Sequence, residues 1–362
     1  MRSFLRNIDK IFGKIHVLLF SFFKLSKKKP LKFNRILVIK LWAIGDSVIS
    51  LSLIRSIKEK YPNSSVEVLT TCNIKDIFKY AKIDKQVSLN SFSGYFSMLF
   101  SFNRYDIVFD CEPYFNISAL ISFIAGKRRV GFSDQYRSRL YTDTIKFRKE
   151  QHMVQNYLDM LRVLDIECDA GKLEKIIIPD DELKNVKAFI SDEFGDDKIV
   201  GICAGISGSV KSRMWYEDRF AELADRIVND LSMQIVFIDS IRNKPTVEII
   251  RGMMKQNSVS ALGKFSLKEE IYLISQCDIF ISNDTGPMHI AAAQGCKTIG
   301  LFGPNTPVLW APYGKGNISI YKTELPPSIQ NDKAIFEDRN REEYMGVISV
   351  DDVFEAVKQL NK

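Results

Sequence analysis

One succession of elements occurs twice in this chain. Runs of β-branched and apolar residues, each long enough for one buried strand, are followed by turns and helices, and midway the pattern restarts. In the first half, strands are read at 34–40 (NRILVIK), 66–70 (VEVLT), 106–110 (DIVFD) and 130–132. Helical spacing follows at Val48, Leu51, Ile54 and Ile57, then over 117–125 and 151–164. In the second half, strands are read at 199–203, 234–238, 279–282 and 298–301, and helices at 215–231, 267–276, 288–294 and 350–360. Apolar strands alternating with helices at this spacing belong in parallel sheets covered on both faces. The 362 residues are therefore expected to be α/β, two Rossmann-like doubly wound domains with an interdomain cleft, with ligands beyond the carboxyl ends of the strands. A charged stretch at 170–195, irregular apart from a helix at 181–194, separates the halves. The expected division is a basic segment at 1–33, domains at 34–175 and 196–345, and a C-terminal helix at 346–362.

The net charge of +7 is localised. The first 40 residues hold eleven Lys and Arg against one acidic residue, and the other 322 are slightly acidic. A nucleic-acid-binding body is thereby disfavoured. Within the basic stretch, 11–25 (IFGKIHVLLFSFFKL) is too short, and too interrupted by Lys14, His16 and Lys24, to cross a bilayer. No small-residue cleavage site follows its apolar core. It reads as a helix on an anionic membrane surface, where each lysine contributes about 1 kcal/mol, or as a helix packed on the body with its lysines solvated. Six cysteines (72, 111, 168, 203, 277, 296) include no C-x-x-C pair and have no histidine close by. Zinc-finger spacing and a disulfide framework are excluded, and a reducing compartment is implied.

Three turns carry candidate chemistry. At Asn283-Asp284-Thr285-Gly286-Pro287 a strand passes straight into a small-residue helix. Gly286 admits close backbone approach, Pro287 suits a first helical turn, and the free N–H groups there attract an anion. His289, four residues after Thr285, can face the same side. The competing reading is a capped helix with a structural histidine. At 205–215 (GISGSVKSRMW), Ser207, Ser209, Lys211 and Arg213 suit a phosphate-bearing ligand, although a solvated loop is the plainer reading of that segment alone. At Gly45-Asp46 the aspartate is either a helix N-cap or a carboxylate placed to take a proton from a hydroxyl. Asp-x-Asp, G-x-x-x-x-G-K-[ST] and G-x-G-x-x-G are all missing, so neither a bound metal nor a dinucleotide cofactor is expected.

Together, ILVIKLWAIGDSVISLSLIRSIKEKYP, YDIVFD, KRRVGF with His152 and Tyr157, the GIS…K…W loop, SNDTGPMHIAAAQG with LFGP, and YMGVISVDDVFEAV resemble glycosyltransferase family 9, the ADP-heptose:lipopolysaccharide heptosyltransferases. They fall in the family's order over about residues 34–360. The resemblance implies a GT-B fold and inverting, metal-independent transfer from a nucleotide-diphosphate sugar, ADP-heptose, to a lipid-linked saccharide. The donor would bind in the C-terminal lobe and the acceptor in the N-terminal one, at the inner face of the bacterial plasma membrane. It implies Asp46 as base supported by Gly45, Ser207 and Lys211 at the phosphates, and Asp284, Thr285, Gly286 and His289 around the donor's diphosphate and sugar. Two departures stand out. Where the family has glycine and an acidic residue for the ribose, this chain reads Asp239-Ser240-Ile241-Arg242-Asn243. After YDIVFD it reads Cys111-Glu112-Pro113 in place of a Gln/Asn/Arg-containing stretch. An epimerase or hydrolase of sugar nucleotides, or a binding protein without catalysis, are the alternative expectations.

Overall fold

The computed structural model describes residues 2–22, 32–72, 74–89, 101–206, 211–325 and 341–362, and the chain divides into two units, Met1–Ala170 and Gly171–Lys362. In the first, six parallel strands lie in the order β3-β2-β1-β4-β5-β6. They are β1 (Arg35–Ile39), β2 (Ser65–Thr70), β3 (Lys85–Ser88), β4 (Tyr105–Asp110), β5 (Gly126–Phe132) and β6 (Asp143–Ile145). Val38 sits level with Val68 on one side and Phe109 on the other, and Ile36–Ile39 is wholly buried. Strand order reverses between β1 and β4. Connections leave these two strands in opposite directions, so a crevice opens at their carboxyl ends, where 40–46 and 111–116 lie.

The second unit repeats the topology. Its strands β7 (Ile199–Cys203), β8 (Gln234–Phe237), β9 (Val259–Ser260), β10 (Ile279–Asn283), β11 (Lys297–Phe302) and β12 (Ile318–Tyr321) run parallel in the order β12-β11-β10-β7-β8-β9. The reversal lies between β7 and β10, at the loops beginning with Ala204 and Asp284. Helix Val350–Leu360 buries Val353, Phe354, Val357 and Leu360 in this unit's own core, which also holds Trp215. The Trp215 indole donates to the Ile348 carbonyl at 2.9 Å.

Four strands were not visible as apolar runs. β3, β6, β9 and β12 have two to four residues each, lie toward the sheet edges and are mostly half-buried. Helix Lys244–Met253 was missed as well, beginning as it does at Lys244-Pro245, where proline takes a first-turn position. The stretch expected as one helix over 151–164 is an α-helix at Met153–Leu158, capped by the His152 ring, followed by 3₁₀ turns at Asp159–Leu164.

The N-terminal segment forms helix Arg2–Ser21, and one face of it packs on the first unit. Asp9 accepts from the backbone N–H groups of Asn116 and Ile117 at 2.9 and 2.8 Å, capping helix Asn116–Ala125, whose own cap position is Phe115. Gly13 passes so close to Asn116 that an added Cβ would lie 2.6 Å from the asparagine Cβ. Val17 is buried beside Ala119 and Phe123, and Phe20 meets Phe123 edge-on. Ile15, Leu18, Leu19 and Phe22 remain exposed. Lys24 and Lys27–Lys29 lie outside the described residues. Replacing Asp9→Ala removes two cap bonds and should cost about 1–2 kcal/mol, read as a lower urea midpoint with an unchanged slope.

Candidate functional site

In the first unit the site is built on a buried ammonium. Lys40 follows β1 directly and is fully buried. Its Nζ donates to Glu112 Oε1 at 2.8 Å and stands 3.5 Å from Asp46 Oδ2. The same Glu112 oxygen accepts from the N–H groups of Leu41 and Trp42 at 2.6 and 3.0 Å, tying the segment after β4 to the segment after β1. Burial pushes the Lys40 ammonium toward neutrality, but the two carboxylates outweigh it and hold it protonated, above the ordinary lysine value.

Asp46 is not the cap of its helix. Helix Ile44–Lys60 has Ala43 at the cap position, and Asp46 stands in the first turn with 23% of its side chain exposed. The backbone demand falls on Ala43, at φ 68°, rather than on Gly45, which is an ordinary buried helical residue. An alanine held at positive φ stores strain of roughly 1–3 kcal/mol, and such positions cluster at functional sites. Trp42 stacks obliquely on Phe115, joining the segments after β1 and β4, and the Tyr114 hydroxyl is pushed up by burial and by the Asp46 charge. The Tyr157 hydroxyl is fully buried with no hydrogen-bond partner, and among neighbouring charges Asp46 acts on it most.

Buried Arg137 fixes the loop 111–118. It donates to Asp110 Oδ2 at 3.2 Å, to the Phe115 carbonyl and Ser118 Oγ at 2.9 Å, and to the Glu112 carbonyl. Tyr141 donates to the same Asp110 oxygen at 2.7 Å. Lys40, Glu112 and Arg137 were not singled out in the sequence; the only signal was the departure from the family pattern at Glu112.

In the second unit, Asp284, Thr285, Gly286 and His289 come together at the carboxyl end of β10. Asp284 is buried, its Oδ2 accepting from Arg213 at 2.7 Å and from Asn305. Thr285 occupies the cap position of helix Gly286–Gln294 in extended conformation, yet its side chain makes no cap bond, so the helix-start N–H groups are left to other acceptors. Asn283 bridges the two central loops, accepting from Trp215 N and donating to the Ala204 carbonyl. Lys211 is exposed in a 3₁₀ turn, and Arg213 rather than Lys211 is the cation bonded to Asp284. Ser207, with Ser209, lies outside the described residues.

His289 is buried, its Nδ1 has no partner, and its ring meets Trp310 edge-on. Burial pushes its pKa down to about 4; the Arg213 charge adds to this, while Asp284 opposes it. The Asp239 carboxylate is consumed internally. It accepts from Gly205 N at 2.6 Å, Ser240 N at 2.7 Å and Asn243 Nδ2 at 2.6 Å. Gly205 has to be glycine, because a Cβ there would strike the Asn243 side chain. The carboxyl left near this loop is Glu270, pushed up to about 7 by burial and by the Asp239 charge. It was hidden in sequence by its place one residue after the Ser266/Glu269 capping box. Among the described residues, no cluster of His, Cys, Asp and Glu is arranged to hold a metal ion.

Residues 100–337 match the family model described as glycosyltransferase family 9 (heptosyltransferase). The chain is 26% identical to lipooligosaccharide heptosyltransferase 2 of Haemophilus influenzae over 293 residues, covering 75% of this chain and 84% of the relative. Among solved structures it resembles a glycosyl transferase family 9 protein from Veillonella parvula (TM-score 0.76, 23% identity, 92% of this chain and 99% of that one). It also resembles ADP-heptose lps heptosyltransferase II of E. coli (TM-score 0.72, 21% identity, 90% and 98%). These likenesses show the fold to be the expected GT-B type.

The unfolded chain protonates His289 near pH 6.5, whereas the folded chain keeps it neutral down to about 4. The unfolded state thus binds more protons in this window, so the stability present above about 6.5 is lost as the pH falls toward 4. Between pH 7 and 4.5 this residue should cost the protein about 2–3 kcal/mol, and His289→Gln should remove that part of the pH dependence of the urea midpoint.

Proposed function

Because the chain belongs to glycosyltransferase family 9, the heptosyltransferases, and so is a glycosyltransferase, we propose that it moves heptose from ADP-heptose onto a lipopolysaccharide core saccharide. The transfer is inverting and metal-independent. The observation that carries this reading is the placement of both motifs, Asp46 in one unit and Asp284–His289 in the other, at the reversal point of a parallel sheet.

In the proposed step, Asp46 takes the proton of an acceptor hydroxyl as its oxygen attacks the anomeric carbon. The bond from that carbon to the diphosphate oxygen breaks on the opposite face, and ADP leaves with both electrons of that bond. Lys40 keeps the carboxylate in place without neutralising it alone, since Glu112 takes the shorter contact. The leaving diphosphate is met by Lys211, by the N–H groups at the start of helix Gly286–Gln294 and, on the sequence alone, by Ser207. Neutral His289 presents its free ring nitrogen to the donor without adding charge. Asp284, tied to Arg213 and Asn305, holds the loop; Asp239, already spent on two backbone N–H groups and the Asn243 amide, leaves Glu270 as the carboxyl available to the ribose.

We assign the inner face of the plasma membrane as the working place, reached through helix Arg2–Ser21. Docked by one face, this helix turns Ile15, Leu18, Leu19 and Phe22 outward beside Lys14 and next to a basic stretch. No described helix is long and apolar enough to cross a membrane.

Asp46→Ala should lower heptose transfer by roughly 10²–10⁴-fold while ADP binding by calorimetry stays within about twofold. Lys211→Ala should do the reverse, weakening ADP about 5–10-fold and leaving adenosine unchanged. Turnover that survives loss of Asp46, or that is abolished by EDTA, refutes this mechanism. The double change Leu19→Glu, Phe22→Glu should reduce flotation with vesicles containing anionic lipid by about tenfold or more, with the thermal midpoint unchanged. Equal flotation of both proteins would remove the membrane role.

A further inference from the structure

Three aromatic residues follow the two central strands of the first unit, and no hydrophobic core has fully absorbed them. We infer that Trp42, Tyr114 and Phe115 form a platform on which a sugar ring of the acceptor lies, and that they help set which saccharide is taken. This inference rests on the reading of a saccharide acceptor held by the first unit.

The rings come from both sides of one reversal point: Trp42 follows β1, and Tyr114 and Phe115 follow β4. Trp42 and Phe115 have ring centroids 5.4 Å apart and planes inclined by 30°. Both are half-buried, and Tyr114 keeps 39% of its surface exposed. Short contacts tie them to the proposed base. The Trp42 amide donates to Glu112 Oε1 at 3.0 Å, that oxygen meets Lys40 Nζ at 2.8 Å, and Nζ stands 3.5 Å from Asp46 Oδ2. The Asp46 charge also acts on the Tyr114 hydroxyl.

Two properties set these rings apart from scattered surface aromatics. Their backbone is fixed. The Leu41 carbonyl accepts from Thr71 Oγ1 at 2.7 Å, and the Phe115 carbonyl accepts from Arg137 at 2.9 Å and Ser118 Oγ at 2.8 Å. A ligand stacking there has little left to order. Their polar ends are also unspent. Neither the Trp42 indole N–H nor the Tyr114 hydroxyl is hydrogen-bonded to another described residue, whereas the Trp215 indole donates to a carbonyl.

This combination matches a sugar. One face of a pyranose presents C–H groups, which settle on the electron-rich face of an aromatic ring, while its hydroxyls seek partners at the rim. The indole N–H, the phenol and the Asp46 carboxylate are such partners. A lipid interface also takes up Trp and Tyr, but an anionic one is repelled by that carboxylate. Tyr114 and Phe115 fall where the chain departs from the family's Gln/Asn/Arg-containing stretch. Stacking therefore stands here in place of polar side chains, which changes the saccharide that fits.

The test uses the whole enzyme and the core oligosaccharide, freed of its lipid, from the lipopolysaccharide of a strain deleted for this gene. Of the three tryptophans, Trp215 and Trp310 are buried, so Trp42 is the one placed to report a ligand by its emission. Saturating oligosaccharide should change the emission of the wild type, and Trp42→Phe should abolish that change while keeping calorimetric affinity within about threefold. Trp42→Leu, which retains apolar contact with the core behind it, should weaken oligosaccharide binding about 5–10-fold, and Tyr114→Ala about 3–5-fold. In both, KM for the oligosaccharide should rise more than kcat falls, with ADP affinity and thermal midpoint close to wild type. Oligosaccharide that binds the wild type, Trp42→Leu and Tyr114→Ala equally well overturns the inference and leaves the acceptor reading standing. So does a loss that appears only in flotation with anionic-lipid vesicles. Oligosaccharide that fails to bind even the wild type, while ADP binds normally, overturns the acceptor reading and the platform with it.

Discussion

An ammonium group buried at the end of a central strand organises the first unit. Lys40 has no water to solvate it, and a lone cation there would cost several kcal/mol or give up its proton. It is kept charged by oxygens brought from two segments, Glu112 after β4 and Asp46 after β1. The rest follows from meeting that need. Glu112 must approach Lys40, so it also collects the Leu41 and Trp42 amides. Its loop must then be immobile, and Arg137 is spent on that loop's carbonyls and on Asp110. Ala43 is driven to positive φ where the chain turns into the helix that brings Asp46 back to the ammonium.

The second unit solves a different problem with similar means. Asp284 sits beside a helix start suited to an anion, where its own charge would repel a diphosphate. Arg213 and Asn305 bind that charge, and His289 stays neutral because burial and Arg213 disfavour a second cation. The helix-start amides are thus the undiluted positive feature of the turn, and Lys211 is exposed two residues before Arg213.

The fold was legible wherever strands were central and long. β1 and β7 are wholly apolar in their buried runs, and β4, β10 and β11 each hold a run of three or more buried apolar residues, because each strand lies between two neighbours. β6 and β9 could not be read, since Asp-Thr-Ile and Val-Ser carry too few buried residues to form a pattern. Sites followed the same logic. Asp284, Thr285, Gly286 and His289 share one turn and one helix start, so their spacing displays their geometry. Lys40 and Glu112 are 72 residues apart and meet only through the pairing of β1 with β4. A departure from the family pattern marked the place, but not that the glutamate faces inward. The carboxyl expected for a ribose was obscured for the opposite reason: Asp239 has the right residue type and is already engaged by three donors.

Helix Arg2–Ser21 is part of the first unit's own packing. Asp9 completes the helix that begins at Asn116, and Val17 and Phe20 roof Ala119 and Phe123. That helix continues from the loop whose first members grip Lys40. A clone trimmed at residue 30 to make the enzyme easier to purify would therefore bare two amide hydrogens and a greasy strip on the first unit, trading one sticky surface for another.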